Sequence, residues 1–196
     1  VKLARYIASQ KKNVILLLAD MTAPPLPYIC PASDIEEENS LGAILSAAHV
    51  TENLIKQNAI LHKRNEYLTM LAMKNGENAF SYAPFTETQV TELLSELRRM
   101  ADYIIIDCTS NITNDVLSAV SLIESDAVLR LVSCDLKSIS YLNSQLPLLL
   151  DNKFNANKQY KAASNVGDFQ ADENVEQVVG GVSFRIAHSD EVHQQF

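Results

Sequence analysis

The chain has 196 residues, 47% of them hydrophobic, which suits a single domain with a sizeable core and no need of covalent staples. Sixteen basic against twenty-four acidic side chains give a formal charge of −8, which argues against a surface devoted to nucleic-acid phosphates or anionic lipid, so non-specific DNA binding is disfavoured. Cys30, Cys108 and Cys134 are odd in number, far apart and in no CxxC pair, suggesting neither a disulfide framework nor a zinc site and fitting a reducing cytoplasm; no apolar run reaches the length of a membrane span, and Val1-Lys2-Leu3-Ala4-Arg5 does not open a signal peptide.

Leu3, Ala4, Ile7 and Ala8 recur at helical spacing, and Gln10-Lys11-Lys12-Asn13 supplies a basic, turn-forming end, so the chain is expected to open inside a helix. Val14-Ile15-Leu16-Leu17-Leu18 is an unbroken apolar run of strand length that ends near the carboxylate of Asp20. Between Met21 and Pro31 stand Pro24, Pro25 and Pro27; proline lacks the N–H that a helix or a sheet ladder needs, which predicts a loop at the sheet rim. Ser33 to Asn39 is acidic and reads as a helical turn or solvated loop. Helical spacing returns over Leu41 to Ala48, and a short helix is expected over Glu52 to Gln57. Ile60-Leu61-His62 fits a brief edge strand and Tyr67 to Met73 a stronger strand, stopped by Asn75-Gly76. Thr86 is placed to cap a helix reaching Met100, with Val90, Leu93, Leu94, Leu97 and Met100 facing inward.

Next comes Asp102-Tyr103-Ile104-Ile105-Ile106-Asp107, apolar without alternation, which is the pattern of a strand buried on both faces of a helix-covered parallel sheet. Asp107 falls where that strand leaves the core. In open α/β sheets the ligand crevice lies outside the carboxyl ends of the strands, so an acid there can hold a magnesium ion or order a water; equally, it can begin a loop or cap a turn. Cys108 to Asp115 reads as a polar loop, and Val116 to Val120 as the start of a helix. Ala127 to Val132 is a further buried strand, and Asp135 or Ser138 caps a helix from Ile139 to Leu150 that Pro147 should kink or shorten. Tyr160 to Val166 reads as a strand ending at Asn165, Gly167 to Asn174 as a polar loop and Val182 to Ile186 as a last strand, with Ser189-Asp190-Glu191 capping a helix. Strands alternating with helices predict an α/β, doubly wound, mostly parallel sheet with helices on both faces, a single domain over residues 1–196.

The order of these strands, and above all the run Asp102-Tyr103-Ile104-Ile105-Ile106-Asp107 between an amphipathic helix and a polar loop, resembles the ParA/MinD branch of the P-loop ATPases, in particular the divergent TadZ- and CpaE-like members. The resemblance implies ATP and Mg²⁺ as ligands. It places Asp107 in the magnesium shell and makes Asp20 the acid that orients the attacking water. Thr109 and Ser110 then belong to the second switch loop, Asn165 hydrogen-bonds adenine, and Ala187 lies in the base-side loop where the family commonly has proline. Each has a structural alternative, since Asp20 and Asp107 can cap turns and Asn165 can simply end its strand.

Two departures accompany the resemblance. Leu18 stands where the family has the first acid of its strand-end pair. The glycine-rich phosphate loop with its lysines is missing, and Gly180-Gly181 is no substitute, because no lysine follows it and no capped helix begins there. A preceding segment carrying that loop and a central strand is therefore expected, with ATP bound by the intact protein and not by these residues alone. Three functions follow from the resemblance and the departures. The first is a switch ATPase that dimerises around nucleotide and positions a plasmid, chromosome, pilus or secretion apparatus through a protein partner. The second is a degenerate scaffold working through protein contacts, and the third a biosynthetic ligase of the same fold, for which no convergent polar cluster is visible. A nucleophilic Cys108 is set aside, because no histidine is placed near it.

Overall fold

The computed structural model describes residues 1–30, 33, 39–167 and 172–190, which fall into two compact units, Val1–Glu124 and Ser125–Phe196. The first unit is built on a sheet of order β2-β3-β1-β4, where β1 is Val14–Leu18, β2 Ile60–Leu61, β3 Leu68–Leu71 and β4 Tyr103–Asp107. β1 lies between β3 and β4 and runs parallel to both, while β2 is an antiparallel edge.

All five residues of β1 are buried, and their alternation divides the core in two. Val14, Leu16 and Leu18 pack with Ala4 and Ala8 of α1 (Lys2–Ser9) and with Leu26 of α2 (Leu26–Ile29). Ile15 and Leu17 pack on the other face, against residues of α3 (Leu41–Leu45), α4 (Glu52–Asn58), α5 (Glu87–Met100) and α6 (Val116–Glu124). A central strand with helices on both faces can carry no polar side chain, which is why β1 is uniformly aliphatic.

The second unit is a parallel sheet of order β5-β6-β7, with β5 Val128–Ser133, β6 Gln159–Val166 and β7 Phe184–Ala187. Helix α7 (Leu136–Leu149) packs on β5, and α8 (Asp172–Val179) on β6 and α7.

Four expectations need correction. The segment Met21 to Pro31 is not wholly loop: α2 forms one turn with Pro27 near its start, where the N–H groups have no helical partner in any case. The strand β4 is not buried on both faces, for Tyr103 and Asp107 are exposed and the isoleucines half-buried. Among the described residues β4 pairs only with β1, so its other edge stands open. The same holds for β5, paired only with β6, whose Leu129 and Leu131 are exposed. Finally, α8 occupies the end of the stretch expected to be loop; Val175 is fully buried there, and the apolar spacing that continues to Val178 outweighs the polar start. The acidic stretch after Ser33 and the helix begun at Ser189 lie largely outside the described residues. Helix α7 runs through Pro147 to Leu149, within one residue of its expected end.

Candidate functional site

The ladder between β1 and β4 places Leu18 opposite Asp107, and the Ala19 N–H donates to the Asp107 carbonyl at 2.9 Å. Asp20 and Asp107 therefore emerge at the carboxyl ends of neighbouring parallel strands, on one edge of the sheet. The opposite ends of the two strands are fastened as well: the Asp102 carboxylate accepts from the Asn13 N–H at 3.0 Å, and the Asn13 carbonyl accepts from Tyr103.

The two acids differ in their commitments. One oxygen of Asp20 accepts from the backbone N–H groups of Thr22 and Ala23, both at 2.9 Å, so it caps the turn that leaves β1, as the structural alternative required. Its second oxygen takes no donor among the described residues. Asp107 is exposed, and no described group donates to its carboxylate. Leu18 is 1% exposed and packed in the core between α1, α2 and the sheet, so the position where an acid was looked for is structural. A shallow hollow of about 210 Å³ borders the Asp20 turn, lined by Ala23, Pro24, Tyr28 and the loop from Lys74 to Glu77; neither acid lines it.

The loop after β4 is fastened to the start of α6 by a network that sequence reasoning missed. Asp115 caps α6, accepting from the Ser118 N–H at 3.2 Å and from the Ser118 hydroxyl at 2.6 Å. The Thr109 hydroxyl donates to the same carboxylate at 2.8 Å, and the Thr109 N–H donates to the Ser118 hydroxyl at 3.0 Å. The signal was legible as Asp115-x-x-Ser118 ahead of an apolar run, which is a helix-start pattern. Cys108 lies beside this network. Burial pushes its thiol up to about 11, with Asp115 and Asp107 adding to the effect and the Ser118 hydrogen bond opposing it. Such a thiol is no nucleophile at neutral pH.

In the second unit, β6 bulges between Ser164 and Val166, and Asn165 takes the left-handed conformation with φ 60°. Asparagine is among the residues that tolerate that region, so its backbone role is sufficient reason for its presence. A bulge also re-aims the side chain it carries. The Asn165 carboxamide oxygen lies 2.6 Å from Nδ1 of His188, whose Nε2 lies 2.9 Å from a carboxylate oxygen of Asp190. Ala187 pairs with Val166 in the ladder and is exposed; with a methyl side chain, it can offer a ligand only its backbone or a small apolar contact. Gly180 and Gly181, at φ 72° and 98°, end α8, and Gly181 donates to the Glu176 carbonyl at 3.0 Å. Their N–H groups thus close a helix C-terminus, the wrong end for a phosphate.

A scan of the sequence against protein-family models and a search of curated proteins gave no match. Solved structures do match. A ParA family ATPase from Chlorobium tepidum TLS superposes with TM-score 0.76 at 16% identity, over 96% of this chain and 78% of that one. A chain of the Aquifex aeolicus MinC:MinD cell division protein complex gives 0.74 at 13%, over 98% and 76%. The septum site-determining protein MinD of Pyrococcus horikoshii OT3, complexed with Mg-ADP, gives 0.72 at 12%, over 98% and 76%. The fold is that of the ParA/MinD ATPases. Within the ParA/MinD fold, Asp20, Asp107 and Thr109 lie at or just beyond the carboxyl ends of β1 and β4 in the first unit's sheet. Asn165 and Ala187 stand at the carboxyl ends of β6 and β7 in the second. No described helix is long and apolar enough to cross a membrane.

Proposed function

We propose that this chain is the nucleotide-binding domain of a ParA/MinD-type switch ATPase, which positions or partitions a cellular cargo through nucleotide-dependent dimerisation. The observation that carries the reading is the pair of carboxylates, Asp20 and Asp107, on the carboxyl edge of adjacent parallel strands in a sheet of this fold. Residues 1–196 are read as one domain, because each neighbour matches nearly the whole chain.

The donor chemistry suits magnesium. That ion takes hard oxygen ligands, keeps several waters and needs only one or two carboxylates alongside the phosphates, and Asp107 offers an exposed carboxylate that no described group has claimed. When bound, magnesium would neutralise charge on the phosphates. Asp20 has one oxygen fixed by its turn, which leaves the other aimed by a rigid backbone and able to orient a water for in-line attack. Thr109 ties the switch loop to α6 through Asp115, so the loop has a defined anchored state to leave. Asn165 and Ala187 take the base side. Mg-ADP is named with one structural neighbour and a MinC partner with another, which supports nucleotide, magnesium and a protein partner here. Three free cysteines agree with a cytoplasmic protein.

A second reading, a scaffold that has lost hydrolysis, is favoured by one observation. Leu18 is core, so the strand-end acid pair is reduced to Asp20. Calorimetry of the full-length protein with Mg-ATP separates the two readings. Micromolar binding, weakened about tenfold or more by Asp107→Ala only when magnesium is present, is expected of the switch. Asp20→Ala is expected to lower turnover by roughly 10²-fold at unchanged affinity. Absence of nucleotide binding leaves the scaffold.

A further inference from the structure

His188 was not given a role by the sequence, yet its ring is hydrogen-bonded to the Asn165 side chain. Its ring is held at both nitrogens by oxygen atoms, Asn165 Oδ1 at 2.6 Å and Asp190 Oδ1 at 2.9 Å. An ionised carboxylate can only accept, so Nε2 carries a proton. Nδ1 then faces the carboxamide, and only two arrangements avoid setting acceptor against acceptor. In the first the ring is an imidazolium, Nδ1–H donates to the amide oxygen, and Asn165 turns its NH₂ outward. In the second the ring is neutral, the amide is rotated by half a turn, the NH₂ donates to Nδ1, and the amide oxygen turns outward. Asn165 is fixed by its left-handed backbone at the bulge, and the His188 N–H donates to the Val166 carbonyl at 2.9 Å, which holds the two segments together. Of the charged groups on the flanking elements, Arg185 of β7 is ion-paired to Glu176 of α8, and Lys161 lies earlier on β6; Asp190 is the carboxylate bonded to the ring.

We infer that His188 is a positioning residue that sets the hydrogen-bond polarity Asn165 presents to the base, and with it the preference between 6-amino and 6-oxo purines. The inference rests on the reading of Asn165 as a base-side residue. With an imidazolium behind it, Asn165 offers only donors and suits the O6 acceptor of a 6-oxo purine. With a neutral ring it offers an acceptor oxygen beside a remaining N–H, the pair that a 6-amino purine needs.

The test compares Mg-ATP with Mg-ITP, which differ in the group at C6, on the full-length protein and on its His188→Ala variant. The expected result is an ATP-to-ITP affinity ratio that changes at least about fivefold in His188→Ala, about what one neutral hydrogen bond accounts for, while both nucleotides still bind. An unchanged ratio in His188→Ala overturns the inference and leaves the nucleotide reading standing. Failure of both nucleotides to bind overturns both. Ring nitrogen NMR of the ligand-free protein gives a readout independent of binding. A His188 ring protonated at Nε2, with signals that move in Asn165→Ala, is expected; a ring without the Nε2 proton overturns the inference.

Discussion

Cys108 sits next to Asp107 and, despite that position, is chemically quiet, because burial first, and then the neighbouring carboxylates of Asp115 and Asp107, disfavour its thiolate. With the thiol at about 11, roughly one molecule in 10³ is thiolate at pH 8, against about a quarter for an unperturbed thiol. Alkylation of Cys108 by iodoacetamide at pH 8, followed by mass spectrometry, should accordingly run on the order of a hundredfold slower in the native protein than in urea. Labelling at the unfolded rate would mean that the loop after β4 opens freely, against its fastening by Thr109, Asp115 and Ser118. Leu18 illustrates the same dependence on surroundings. Only its neighbours, Ala4, Leu16, Leu26 and Ile105, explain why an aliphatic side chain stands at a strand end where a metal-facing acid was looked for.

Among the elements, α3 shows how a tertiary contact can reverse a propensity. Replacing a helical glycine by alanine ordinarily stabilises by about 0.5–1 kcal/mol. At Gly42, however, an added Cβ would lie 2.3 Å from the ring of Tyr82, whose hydroxyl donates to Glu77 at 2.7 Å and which therefore has little room to retreat. Glu77 in turn accepts from Ser40, the N-cap of α3, at 2.5 Å, so the ring, the cap and the glycine form one packed unit. Gly42→Ala should destabilise by roughly 1–3 kcal/mol in urea denaturation, and the cost should shrink or change sign in a Tyr82→Ala background. Equal costs in the two backgrounds would show that the ring is not what the glycine accommodates. Helix α5 carries its own start signal: Gln89 reaches back to accept from the Thr86 N–H at 2.9 Å, a capping box legible in the chain as Thr86-x-x-Gln89.

For the molecule as a whole, acid should act through two opposed effects. Among the described residues, three carboxyls are held below their usual range in the folded protein: Glu52 by the Lys56 ammonium, Glu92 by the Val50 N–H and then His49, and Asp135 by the backbone N–H and hydroxyl of Ser138. A group depressed on folding contributes stability above its unfolded value, and that contribution is lost as pH falls through the folded one. The net charge of −8, with pI near 5.0, works the other way, since self-repulsion relaxes as pH falls from 7 towards 5. The thermal midpoint followed by circular dichroism should hold or rise from pH 7 to about 5, then fall below about pH 4. Glu92→Gln and Asp135→Asn should soften the acid limb, and a midpoint that falls steadily from pH 7 downward would show that the depressed carboxyls do not govern acid stability. The sequence by itself determined the elements whose cause is local: β1, β4, β6 and α5 follow from apolar runs, helical spacing and caps within a dozen residues, and Asp20 and Asp107 are visible as acids at strand ends. It missed α8 and overstated the burial of β4 and β5, because hydropathy records what a strand can bury and not whether a neighbour is there to cover it. Only the tertiary structure decided that β1 lies between β3 and β4, so that Asn13 and Asp102, 89 residues apart, meet at one end of the sheet and the two acids at the other. The bulge at Asn165 and its grip by His188 were likewise decided there. The reason is physical: periodicity depends on adjacent residues, whereas strand order, register and the partner of a polar group depend on distant segments that compete for the same hydrogen bonds and the same buried surface.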